Sequence, residues 1–154
     1  MARRAVPRFD LFRWRNGIKS HPNSKAPQRK VLISGFYPYA LPMDWSGLLK
    51  IAETEVTATI SELPDPVRKA LLEVPVLIEK HPSRQDIADG IEPDTLGYFE
   101  EYPAVRIRLW LENIEDYALD EEHSFAEEVR TTLLHEIGHV LGWDEDDVEE
   151  RGLG

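Results

Sequence analysis

His135 and His139 stand four residues apart in the string His135-Glu136-Ile137-Gly138-His139. On a helix, residues at i and i+4 share one face with Cβ atoms about 5 to 6 Å apart, so two imidazoles can meet one zinc ion through bonds of about 2.0 to 2.1 Å. Glu136 is rotated off that axis. Its carboxylate reaches a water on the metal rather than the metal itself, and a zinc that lowers the water pKa to about 7 together with a carboxylate that takes the proton makes hydroxide at neutral pH. A catalytic zinc takes three protein ligands and leaves a fourth position open. Gly142 can end the helix in the left-handed conformation and turn the chain back beneath the metal, and Glu145 follows three residues later, with Asp144, Asp146 and Glu149 as the other carboxylates of the stretch. With five histidines in the chain, the bare pentapeptide arises in about two of a hundred shuffled sequences, so it is Gly142 and the acid at 145 that make the string specific. The bland alternative is a half-exposed helix with two solvated histidines, followed by acids that complement a helix dipole. His21, His81 and His123 have no ligand spacing and read as surface residues.

The elements that must position this string follow from periodicity. Ser124 and Glu127 suggest a capping box, and Val129, Leu133, Ile137, Val140 and Leu141 form the buried stripe of a helix that ends at Gly142. A last short helix begins behind Asp144 and Asp147. Upstream, Asp44 caps a helix whose apolar positions are Trp45, Leu48, Leu49, Ala52, Val56 and Ile60, stopped by Pro64. Asp65 caps a short helix over Pro66 to Glu73, and Val74 to Glu79 reads as a strand. His81 to Pro93 reads as a surface loop. Leu96 to Tyr102 and Val105 to Leu111 make a hairpin around Pro103 and Ala104, with Val105, Ile107, Leu109 and Leu111 on one face and Arg106, Arg108 and Trp110 on the other.

A chain of 154 residues, 42% hydrophobic and 31% charged, is long enough for one core and too ordinary in composition to be a mostly disordered or collagen-like protein. It has no run of about 18 to 20 apolar residues to span a bilayer. The absence of cysteine excludes disulfides and thiolate metal sites and suits a reducing compartment, and with no apolar stretch of a secretory signal the expected location is cytoplasmic. Charge divides the chain in two. Residues 1–43 hold nine basic side chains and one acid, a balance of +8, which leaves −19 for the rest of a chain with net charge −11. Five prolines in the basic part argue against a long helix there, although Val31 to Tyr39 could form a short strand. The expected organisation is a basic, Pro-rich extension over 1–43 and a folded domain over 44–154. The extension is read as docking on its own acidic body or aiding solubility, with RNA as the alternative partner.

Residues 44–154 resemble the small bacterial zincin-like metallopeptidases, in which a helix and a Leu-Pro step precede a strand, a Leu-Gly hairpin, an HExxHxxG helix and an acidic tail. The matching pieces are Leu63-Pro64, Val76 to Glu79, Leu96-Gly97, Arg106-Ile107 and His135 to Glu149. The spacing from His135 to Glu145 is that of the metzincins with an acid in place of the third histidine. The resemblance implies an α+β zincin-like domain, a minimal metzincin-like fold with a small mixed sheet packed on the HExxH helix. It implies a zinc cofactor (Zn2+), His135 and His139 as metal ligands, Glu145 as the third, Glu136 as general base, and a peptide or protein substrate. The substrate is expected to lie extended along an exposed sheet edge, with Leu96 to Tyr102 as that edge. The chain departs from the family at Phe99, where an aromatic hydroxyl is expected, although Tyr98 and Tyr102 flank it. A second resemblance is to bacterial rRNA-maturation endonucleases, which bind zinc through histidines at the same three positions and carry a Gly-Tyr-Asp step like Gly142-Trp143-Asp144. They lack the glutamate after the first histidine, so Glu136 and Glu145 favour peptide hydrolysis. A catalytically silent metal-binding or interaction domain is the third class.

Overall fold

A computed structural model of the chain describes residues 43–150, without the side chain of Glu149. The basic extension up to residue 42, the strand expected at Val31 to Tyr39, and His21 lie outside the described residues. Helix α1 (Trp45–Glu62) starts at Asp44, whose carboxylate accepts the Gly47 N–H at 2.8 Å, and it buries Leu48, Ala52 and Thr59. The short α2 (Asp65–Ala70) begins one residue earlier than expected: Pro64 is the cap and Asp65 the first helical residue, paired with Arg68 one turn on. Strand β1 (Val76–Glu79) follows.

The segment expected to be loop contains a helix, α3 (Arg84–Ala88), because Ser83 and Asp86 form a reciprocal capping box. Strands β2 (Gly97–Glu100) and β3 (Arg106–Trp110) are antiparallel, as the hairpin reading requires, and β1 joins β3 in parallel to give the order β1-β3-β2. Among the described residues the sheet is therefore mixed and small, with β2 on an edge. Leu111 does not end β3. It opens a helix that the sequence pattern did not reveal, α4 (Leu111–Asp120), where Leu111, Ile114 and Ala118 recur at helical spacing on the buried side. Two further helices complete the described residues, α5 (Phe125–Val140) and α6 (Glu145–Glu150). Ser124 precedes α5 as expected, but its side chain makes no capping bond.

Helix α5 lies at the centre, packed against α1, α4, β2 and β3. Val129, Leu133 and Ile137 are fully buried there with Ile107, Leu109 and Leu111. At about 1.5 to 3 kcal/mol for each large aliphatic side chain removed from water, this stripe fixes the rotation of α5, and with it the direction in which His135 and His139 point. The opposite face of β3 is also covered: Arg108, 8% exposed, is held by Glu79 of β1 at 2.7 Å and by both carboxylate oxygens of Asp86 of α3 at 2.6 and 3.0 Å. The architecture is α+β. Among the described residues no helix is long and apolar enough to cross a membrane.

Candidate metal centre

His135 and His139 leave the last two turns of α5 on one face, and their Nε2 atoms lie 3.0 Å apart with the rings nearly perpendicular, at 74°. The helix ends immediately afterwards. Gly142 takes φ +83°, and the Trp143 N–H returns to the Gly138 carbonyl at 3.1 Å while the Gly142 N–H bonds to that of His139, a Schellman closure that only a residue without Cβ enters at low cost. Asp144 then caps α6 by accepting the Asp147 N–H at 2.9 Å, which commits that carboxylate to the helix end and puts Glu145 at the first helical position. From there the Glu145 carboxylate spans the histidine pair, 3.4 Å from Nε2 of His135 and 3.3 Å from Nε2 of His139.

The two imidazoles and the Glu145 carboxylate thus form a triangle of donor groups: the Nε2 atoms lie 3.0 Å apart, and each meets a different carboxylate oxygen, Oε2 at 3.4 Å from His135 and Oε1 at 3.3 Å from His139. Two bonds of about 2.05 Å meeting at the tetrahedral angle hold their outer atoms about 3.3 Å apart, and each of these three contacts is near that separation, so the groups are close enough to share one zinc ion. Two imidazoles and a carboxylate are also a donor set of catalytic zinc sites. Among the described residues these three are the group of histidine and acid side chains close enough to share an ion. Asp146, the other described alternative, is exposed and outside the group.

The tautomer of His139 follows from its neighbour. Nδ1 lies 3.0 Å from the Trp143 carbonyl, which can only accept, so Nδ1 carries the proton and Nε2 presents its lone pair to the centre of the triangle. The indole of Trp143 is seated against Gly138, where a Cβ would come within 3.0 Å of the ring. Gly138, in the string between the histidines, therefore lets the chain after Gly142 fold close enough to orient His139.

Glu136 lies against β2, in the same cleft as the triangle, and is 5% exposed. Burial pushes its carboxyl up from 4.5 to about 8, opposed by the N–H of Phe99 that donates to it and reinforced by the charge of Glu145. Strand β2 can lie this close because residue 97 is glycine. A Cβ there would sit 2.7 Å from the Thr132 methyl and 3.0 Å from the Glu136 carboxylate. Phe99 thus serves the site through its backbone, while its ring packs on the core, and the tyrosines that line the cleft, Tyr98 and Tyr102, are exposed.

Two concavities meet at this point and share Gly97, His135 and Glu136. A cleft of about 800 Å3 runs past Tyr98, Tyr102, His139 and Glu145. A cavity of about 530 Å3 extends toward the start of α5, between Leu96, Tyr117, Glu127, Glu128 and Thr132. His123 also lines that cavity, beside Glu128 at 3.3 Å, and like His81 it is exposed. Sequence spacing gave no sign of Gly97, Tyr117, Glu128 or Thr132, because they reach the site from different elements.

Among curated proteins nothing matches the chain. A sequence profile for a family described as zincin-like metallopeptidase matches residues 71–154, from the end of α2 through the whole of the sheet, both cavities and the triangle of donors.

Proposed function

Because the chain belongs to the zincin-like metallopeptidase family, we propose that His135, His139 and Glu145 hold a zinc ion and that the protein hydrolyses peptide bonds with Glu136 as general base. Two imidazole nitrogens 3.0 Å apart, each within 3.4 Å of an oxygen of the Glu145 carboxylate and beside a buried carboxyl, carry this reading. A zinc ion in such a set acts as a Lewis acid on a carbonyl oxygen and brings the pKa of a bound water to about 7. Glu136 takes the proton of the attacking water and delivers it to the leaving amine. Its desolvated position, which raises its proton affinity, suits a base that must work near neutral pH, and the Phe99 N–H fixes which way the carboxylate points. The Trp143 carbonyl keeps His139 in its ligating tautomer. An extended substrate adds to the outer edge of β2, the side away from β3, which runs past Glu136 and the cleft. Residues 44–154 make up the peptidase domain in this reading, and 1–43 a basic extension of it.

The nuclease alternative meets two obstacles. Glu136 suits a water activation that the endonuclease class performs without it, and among the described residues no Lys or Arg lines the cleft or the cavity to offer a polyanion counter-charges at the centre. The test offers the purified protein a mixed peptide library and a structured RNA, each with and without a zinc chelator. Chelator-sensitive peptide cleavage that falls by about 10² to 10⁴ in Glu136→Gln, with RNA intact, is the expected result. RNA cleavage that survives Glu136→Gln would replace the peptidase with the nuclease, and silence on both substrates would reduce the claim to metal binding.

A further inference from the structure

The cavity of about 530 Å3 beside Glu136 lies where a substrate strand crossing the metal centre along β2 must place a side chain, since Gly97, His135 and Glu136 border both it and the cleft. Its walls differ in character. Leu96 and Tyr117 are largely apolar, Glu127 and Glu128 are acidic, and behind them Thr132, 6% exposed, has a buried hydroxyl with no hydrogen-bond partner among the described residues. Among the described residues Lys and Arg are absent from its lining. Resting on the peptidase reading, we propose that this cavity receives an arginine or lysine side chain next to the scissile bond, so that the substrate class is basic polypeptide.

An aliphatic stem along Leu96 and Tyr117 with a cationic head at Glu127 and Glu128 matches both walls at once. An apolar side chain would desolvate Glu128, already 7% exposed, without replacing its solvation, and an acidic one would meet like charge. Glu128 has His123 as its ion-pair partner among the described residues, and Glu127 is in no ion pair there. The same character continues away from the metal. A neighbouring trench of about 480 Å3 shares Leu96 and Tyr117 and is lined by Glu92, Asp94, Asp116 and Asp120, none of which pairs with a cation among the described residues. Successive basic residues of one peptide therefore find carboxylates beyond the first.

Binding and cleavage are measured separately. The binding arm uses the zinc-saturated Glu136→Gln protein and labelled neutral peptide pools that differ only in carrying one Arg, one Leu or one Glu. The Arg pool should bind roughly tenfold more tightly than the Leu pool, with the Glu pool weakest. Glu127→Gln with Glu128→Gln should abolish that order, while Glu53→Gln with Glu73→Gln, the same charge removed from exposed positions that line none of these cavities, should preserve it. The exposed Glu127→Gln alone should lose part of the preference and keeps the test decisive if the double variant does not fold. Equal binding of Arg and Leu pools, or equal loss in the two double variants, overturns the proposal. Chelator-sensitive cleavage of the same pools by the wild type decides the peptidase reading on its own: an intact Arg preference without cleavage would overturn the catalytic reading and leave a basic-peptide binding site.

Discussion

Replacing Glu136 by Gln should stabilise the metal-free protein at pH 8. A carboxyl raised from 4.5 to about 8 binds its proton more tightly in the folded chain than in the unfolded one. Below about pH 4.5 both states hold the proton and the group costs nothing. As pH rises from there toward 8, the unfolded chain ionises while the folded one must keep the proton or bury a charge, so stability falls across that window and levels off above it. Each factor of ten in proton affinity is worth about 1.4 kcal/mol, and Glu136 is 5% exposed, so the penalty above pH 8 is on the order of 3 to 5 kcal/mol. Gln keeps an oxygen for the Phe99 N–H and carries no charge, although its amide group must find room. A net gain of about 3 kcal/mol corresponds to a rise in Tm of roughly 10 °C for a domain of this size. Thermal unfolding of chelator-treated wild type and Glu136→Gln between pH 4.5 and 9 should show curves that coincide at the acid end and separate toward pH 8. Saturation with zinc should narrow the separation, because a cation beside the carboxylate favours its charged form. A variant no more stable than wild type at pH 8 would refute the claim that Glu136 is held against its solvation.

Glu145→Ala should weaken zinc binding by far more than Asp146→Ala, since the first removes a carboxylate whose two oxygens approach the His135 and His139 nitrogens to 3.4 and 3.3 Å and the second an acid outside the group, and zinc competition titrations measure the difference. Gly97→Ala should cut peptide cleavage on the order of 10²-fold with zinc content unchanged, because a Cβ 3.0 Å from the Glu136 carboxylate displaces the base rather than the ligands. The Arg108 guanidinium holds the Asp86 carboxyl well below the usual carboxylate range, so this pair contributes stability that is complete above about pH 4 and is lost as pH falls from there through the folded value. Asp86→Ala should accordingly destabilise the fold by about 3 kcal/mol at pH 7 and flatten the acid limb of the stability curve.

The parts of the site that share one helix were legible in the sequence. The four-residue interval of His135 and His139, the off-axis place of Glu136 and the stop at Gly142 all follow from helical geometry and the freedom of glycine. Glu145 was harder to separate from Asp144 and Asp146 because the choice depends on how α6 caps: Asp144 is consumed by the Asp147 N–H, and only then does Glu145 face the histidines. Gly97 occurred in the hairpin pattern, but its reason is a contact between β2 and α5 that no local rule contains. Helix α4 escaped because its buried stripe is interrupted by acids and its first residue, Leu111, also continues the alternation of β3. Helix α3 was hidden by the prolines and charges around it, although Ser83 and Asp86 carry the spacing of a capping box. Arg108 sits buried where the alternation alone shows only a polar position, since its neutralisation depends on Glu79 and Asp86 arriving from two other elements.

Zinc stoichiometry tests the account most directly. Native mass spectrometry and elemental analysis of the wild-type protein, titrated with zinc after chelation, should give one zinc per chain, lost in His135→Ala and in His139→Ala and retained in Glu136→Gln. A wild-type chain that binds no stoichiometric zinc, or one whose zinc survives removal of both histidines, would contradict the metal centre on which the proposed chemistry stands.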